Sequence, residues 1–277
     1  MDKDKRQTII AVILLVILIG AVIVITYIVK FSGLANEVDN DNSNNEVINN
    51  SNPADQYVMV TPYQYADAEG IFTTFNVSTI SFKNLDESLT SEFLQRQQEF
   101  IDRVDILHQQ VLDLGVTDYG TNSIMSVINY TVSDSILSVV YQFKVNIPLL
   151  SINTTEAISL NIDLANQRIM TNDLMLSYLE KDINNVANRV FEETIMTLNF
   201  EDNNYVDIDT ETKVDATNVE SFREVYVTMI ADYLQNNGIG YIVNDQYNIM
   251  YRNSDILALL FNVDIVADAE YAIQSVQ

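Results

Sequence analysis

The chain has 277 residues, enough for one large domain or two modest ones, and 48% of them are hydrophobic. It carries 39 acidic against 14 basic residues, a net charge of −25, which argues against nucleic acid and anionic polymers or lipids as direct partners. Cysteine is absent, so disulfides and thiolate chemistry are excluded and the fold must hold by its core alone.

The first element in chain order is the uncharged run TIIAVILLVILIGAVIVITYIV, Thr8–Val29. As a helix it would be about 33 Å long, enough to cross a hydrocarbon core of roughly 30 Å. Lys3, Lys5 and Arg6 precede it, Lys30 follows it, and the next cation is Lys83. The positive-inside rule therefore predicts a cytoplasmic tail at residues 1–7, an anchor at 8–30, and everything later outside the cell. Gly33–Ala35 offers small residues suited to signal-peptide cleavage. The apolar run is much longer than the usual h-region, which favours an uncleaved anchor. Setting aside Asp2 and Asp4 among the acids and Lys3, Lys5, Arg6 and Lys30 among the bases, residues 31–277 hold 37 acids and 10 bases, a net −27. Such a surface keeps an exported domain soluble and suits a cationic partner. Abundant Asn and Ile with no Trp point to an AT-rich genome and a Gram-positive bacterium.

Residues 31–55, including the Asn-rich tract Asn36–Pro53, read as a disordered stalk. A first α+β subdomain is expected over 56–165. Tyr57–Tyr65 and Ile71–Phe82 are rich in β-branched and aromatic residues and predict strands. Leu85–Gly115 predicts a long helix with Phe93, Phe100, Val104, Leu107 and Val111 on a buried face and Gly115 as its stop. Strands follow at Ser123–Val132, Ser135–Asn146 and Glu156–Leu164, the first two forming a hairpin across Ser133-Asp134-Ser135.

A second subdomain is expected over 166–277. It opens with a turn at Asn166-Gln167, a short strand, and Thr171 capping a helix that runs on towards Phe200. Leu174, Leu179, Ile183, Val186, Val190, Phe191 and Ile195 share its apolar stripe. An acidic segment at Tyr205–Asp215 leads to a third helix, Asn218–Asn236. Two or three antiparallel strands close the chain, with turns near Asn244-Asp245 and Asn253-Ser254. The fold class predicted is α+β, with antiparallel sheets packed against long helices after one transmembrane helix.

Chemistry is harder to find. The one histidine, His108, lies beside the apolar face of the first long helix, and no nucleophile motif accompanies it. One histidine and no cysteine make a histidine-ligated zinc site nearly impossible. Asp207, Asp209 and Glu211 would share one face of an extended strand and could offer oxygens to Ca²⁺. The EF-hand pattern fails there, because Thr212 stands where glycine is required, and a solvated acidic loop is the plainer account. Gly238 and Gly240 are too isolated to form a phosphate loop. No catalytic, cofactor-binding or metal-binding residue is therefore assigned, no cofactor is expected, and the chain is not expected to be an enzyme.

The order of elements resembles a family of exported Gram-positive domains. The segments that carry the likeness are Thr79–Ile101 (strand, turn, long helix), Ser133–Val145, Leu160–Leu176 and Tyr247–Val266. The stretch Leu160–Leu176, with Asn161, Asp163 and Leu164 at its start and Asp173 and Leu174 near its end, looks like that family's N-x-D-L … G-x-x-I-T … D-L segment, which enters a helix. These domains form the outer part of RsiV-type lysozyme-sensing anti-sigma factors and the N-terminal region of PdaC-type peptidoglycan deacetylases. The family's turn glycine is replaced by Asn166 or Gln167, and Asn146–Ser159 replaces its Gly-Ala-His segment. Residues 1–7 are too few to bind a sigma factor, and no deacetylase domain is present, so neither activity carries over. The resemblance implies a binding or sensor-like module for a cationic protein such as lysozyme, or for a cell-wall component. A structural or assembly subunit of an envelope complex is the alternative, and a carboxylate-based wall hydrolase ranks below both.

Overall fold

The computed structural model describes residues 52–201, 203–262 and 271–276. The expected tail, the anchor at 8–30, the Gly33–Ala35 site and all but the last few residues of the stalk lie outside them. Among the described residues no helix is long and apolar enough to cross a membrane.

The stalk was expected to reach residue 55, but the fold begins earlier. Asn52 accepts a hydrogen bond from Ala54 N and donates one to the Tyr130 carbonyl, and Pro53–Gln56 form a 3-10 turn with Ala54 fully buried. The run 71–82 splits at Val77, so strand β2 (Thr74–Asn76) and strand β3 (Ser78–Phe82) join different sheets. Strand β1 (Val58–Pro62) pairs with β3, antiparallel. Helix α1 (Glu87–Asp113) follows, with Asp86 capping it at Ser88 N. All five residues expected on its inner face are buried, and Gly115 takes the positive φ that ends it.

The chain then runs through β4 (Ser123–Ser133), β5 (Ile136–Ile147) and β6 (Ile152–Asp163), an antiparallel meander. The short β7 (Arg168–Ile169) pairs only with Ile162 and Asp163. β2 lies parallel to β4, with α1 crossing between them, so the five-stranded sheet is mixed and not purely antiparallel as expected. The α+β class itself stands.

Alternation along β5 explains the layers. Leu137, Val139, Tyr141, Phe143 and Val145 join the cluster that includes the α1 face, while Val140 points the other way against Tyr241 and Met250. Those two residues belong to β10 (Ile239–Val243) and β11 (Gln246–Tyr251), which with β12 (Ala272–Ser275) form a second, antiparallel sheet. The opposite face of that sheet, with Ile242 and Ile249, meets the remaining helices. The order of layers is thus helix, sheet, sheet, helices.

Two expected elements differ. The single helix after Thr171 is two helices, α2 (Asn172–Tyr178) and α3 (Ile183–Thr197). Glu180 takes a positive φ, Lys181 N returns to the Leu176 carbonyl, and Asp182 caps the new start at Asn184 N. The apolar stripe survives the break because both pieces pack on one core. Likewise Asn253-Ser254 opens helix α5 (Asn253–Leu260) and not a turn between strands. A short apolar run such as Ile256–Leu260 has no periodicity to separate the two states. The third helix is a 3-10 turn, Val219–Phe222, continued by α4 (Arg223–Asn237). The Asn244-Asp245 turn is as expected, both residues having positive φ.

Gln97 joins α1 to the small sheet. Its amide donates to the Ile80 carbonyl at 3.0 Å and its oxygen accepts from Ile80 N at 2.7 Å, all buried. Gln97→Leu leaves both groups unpaired, and we expect a loss of about 1–3 kcal/mol of unfolding free energy in urea titrations. Unchanged stability would mean that water replaces the amide.

Gly240 is required by close approach. A Cβ there would stand 1.9 Å from the Tyr247 hydroxyl oxygen and 2.2 Å from Asn172 Oδ1. Gly240→Ala is expected to destabilise by about 1–3 kcal/mol or more. Tyr247→Phe in the same chain should cost less than it does alone, because it relieves that clash; additive costs would count against this account.

Candidate binding groove

β6 runs on past its hairpin partner, which leaves most of one edge open. Met170 N donates to the Asn161 carbonyl, so Asn161 turns its backbone groups away from β5. Antiparallel alternation then aims the groups of Thr155, Ala157 and Ser159 the same way. Among the described residues no strand pairs with Ile152–Asn161 on this side apart from that one bond.

This edge lines a groove. A cavity of about 530 Å³ is bounded by Thr154 and Glu156–Leu160, by the outer turns of α1 (Leu89, Glu92, Phe93, Arg96, Phe100), and by Ile239, Arg252 and Tyr271. A second cavity of about 590 Å³ continues it past Asn161 and Met170 to Asp173, Gln235 and Gly238. Glu92, Ser159, Leu160 and Ile169 line both.

Two of the groove's arginines are ion-paired and a third is held by a carbonyl and a ring. Arg103 binds Glu156, and its guanidinium lies 5.6 Å from the Phe143 ring centre. Arg96 meets Glu99 at 3.7 Å. Arg252 donates to the Thr155 carbonyl and stacks 4.9 Å above the Tyr271 ring. Tyr271 and Ala157 pack against the same small apolar cluster of Val140, Tyr241 and Met250. Glu92, exposed where the cavities meet, has no ion-pair partner among the described residues.

A second cluster lies elsewhere. His108 Nε2 is 3.3 Å from Asp67 Oδ1 and 3.5 Å from Glu69 Oε2. The Asp67 carboxylate also accepts from Ile71 N and Phe72 N, which fixes it, and the rings of Tyr65 and Phe72 enclose the imidazole. Burial and Asp105 push the Tyr65 phenol up to about 12. The arrangement offers three ligand atoms, two carboxylate oxygens and one imidazole nitrogen, close enough to meet around one small divalent cation. Sequence reading placed His108 beside the apolar face but missed Asp67 and Glu69. The one available signal was Asp67 shortly before Gly70, a loop-capping pattern, and it says nothing of a helix 41 residues away.

Asp207, Asp209 and Glu211 are not brought together. Strand β8 (Tyr205–Val206) ends before them and β9 (Lys213–Val214) begins after, so they lie in the turn and not on one strand face. Asp207 is buried and internally satisfied: it accepts from Thr210 N at 2.7 Å, Thr210 Oγ1 at 2.6 Å and Tyr226 Oη at 2.9 Å. Asp209 and Glu211 are exposed. Asp163 is likewise committed to its turn, bonded to Ala165 N, Asn166 and Arg168. Gln167 takes a positive φ in the same turn.

No family model matches the chain, and no curated protein matches it.

Burial pushes the Asp207 carboxyl up, but hydrogen bonds from Thr210, Tyr226 and Asp209 outweigh it and hold the group below the usual range. A depressed carboxyl contributes stability that is full above the unfolded pKa, near 3.9, and is lost as pH falls through the folded value. The slope of melting temperature against pH below about pH 4 is therefore expected to be shallower in Asp207→Asn than in the parent. Equal slopes would show that Asp207 contributes nothing to acid sensitivity.

Proposed function

We propose that this chain is a single-pass membrane protein of a Gram-positive envelope, with its N-terminus cytoplasmic and its α+β part outside. That part serves as a non-enzymatic binding module for a cationic protein such as lysozyme, or for a cell-wall component. The observation that carries the reading is a long, half-apolar groove whose two cavities meet at Glu92, a carboxylate with no ion-pair partner among the described residues, in a segment of net charge −27. Arg96 and Arg103 are ion-paired in its walls, and the acidic excess of the whole segment is left to attract a cationic partner. Long-range attraction of this kind speeds encounter with cationic proteins and is screened by salt. The likeness in element order to lysozyme-sensing ectodomains points the same way.

The test is a pull-down of purified residues 51–277 with hen lysozyme and with cell-wall sacculi, at low and at physiological salt. Saturable binding that weakens with salt is the expected result for lysozyme. Failure to bind both ligands at low salt would overturn the proposal.

A further inference from the structure

The groove contains more than a charge. Its floor is a strand edge, and a strand edge recognises another backbone. The outward groups of β6 are only partly satisfied. Arg252 takes the Thr155 carbonyl, and Met170 N takes the Asn161 carbonyl. Among the described residues, the Ala157 carbonyl and the N–H and carbonyl of Ser159 meet no partner. From Thr155 to Asn161 the edge extends about 20 Å at 3.3–3.4 Å per residue, long enough for a short strand.

We propose that this edge takes an extended, basic polypeptide segment as an added strand of the five-stranded sheet; the proposal rests on the binding reading above and names what is bound and how. Polypeptide is chosen over sugar because the free groups alternate donor and acceptor at strand spacing. The added strand would turn alternate side chains to the two walls. One wall offers Phe93 and Phe100, and the other Ile239 and Tyr271, so β-branched residues fit between them. Basic residues are chosen because Glu92, with no ion-pair partner among the described residues, lines both cavities, and Asp173, which accepts from the neutral Gln235, lies further along. The cations already present, Arg96, Arg103 and Arg252, are each engaged.

The probe is acetyl-Lys-Val-Lys-Ile-Lys-Val-Lys-Ile-amide, fluorescently labelled and titrated by anisotropy into the full chain in non-ionic detergent. Two further versions carry backbone N-methyl groups, on the lysines in one and on the β-branched residues in the other. Successive amides of a strand face opposite sides, so only one version blocks pairing with β6. We expect saturable binding of the parent peptide, one methylated version weakened at least about tenfold, and the other nearly unchanged. Hydrogen exchange at the Ser159 amide should slow when the parent peptide is bound. Ser159→Pro removes that outward N–H at an edge position where proline is tolerated, and should weaken the peptide by a similar factor. Glu92→Lys should weaken it as well.

No binding of the parent peptide overturns the proposal, and so does equal affinity for the two methylated versions. Concentration-dependent dimers with Ser159 protected in the absence of peptide would assign the edge to a second copy of the chain and also overturn it. The lysozyme and sacculus pull-downs are scored separately. If they succeed while the peptide fails, the binding module stands and strand addition falls.

Discussion

The Asn172 carboxamide is the point on which the second half of the fold turns. Its nitrogen donates to the Leu234 carbonyl at 2.9 Å and the Gly238 carbonyl at 2.7 Å, and its oxygen accepts from the Tyr247 hydroxyl at 2.6 Å. One buried side chain thereby ties the start of α2, the end of α4 and the strand β11. Three buried polar groups are satisfied together, and leaving any one of them unpaired would cost free energy. The two glycines beside it follow from this geometry. A side chain on Gly240 would occupy the space of that hydrogen bond, and one on Gly238 would meet the Leu234 carbonyl at 2.4 Å. What looked like a stray glycine pair is a packing requirement.

The same junction fixes the second sheet against the first. Asn161 donates to the Gly240 carbonyl, and Ile242 N donates to the Ser138 hydroxyl, both at 2.8 Å. β10 is therefore held across the face of β5 and β6. With α1 on the opposite face, β6 lies between two walls, and its edge past β7 becomes the floor of a groove instead of a flat, exposed margin. Proteins usually blunt such edges with charge, proline or cover. Here Arg252 and Tyr271 cover part of the edge and leave the stretch around Ser159.

Electrostatics follow a similar division. Buried carboxylates such as Asp163 and Asp207 are spent on hydrogen bonds that shape turns. Glu92, by contrast, is exposed where the two cavities meet and has no ion-pair partner among the described residues. The excess of negative charge thus has two roles, local turn chemistry inside and a long-range field outside.

Much of the fold was legible in the chain. The inner face of α1, the Asp134-Ser135 hairpin, the Asn166-Gln167 turn, the Thr171 cap and the Asn244-Asp245 turn are all local patterns, set by periodicity, caps and left-handed backbone within a few residues. Elements that depend on distant partners were not. Whether Ile256–Leu260 is helix or strand, and that β2 lies parallel to β4, are decided by packing against segments far away in sequence. The candidate site belongs to the second kind. Asp67 meets His108, and Glu92 faces Ser159 across the groove, only because the layers stack as they do. Sequence determined which stretches could form helices, strands and turns, because those signals act over a few residues. Tertiary structure alone decided which strand edge stays open and which charge stays unpaired among the described residues, because both depend on partners brought together from across the chain.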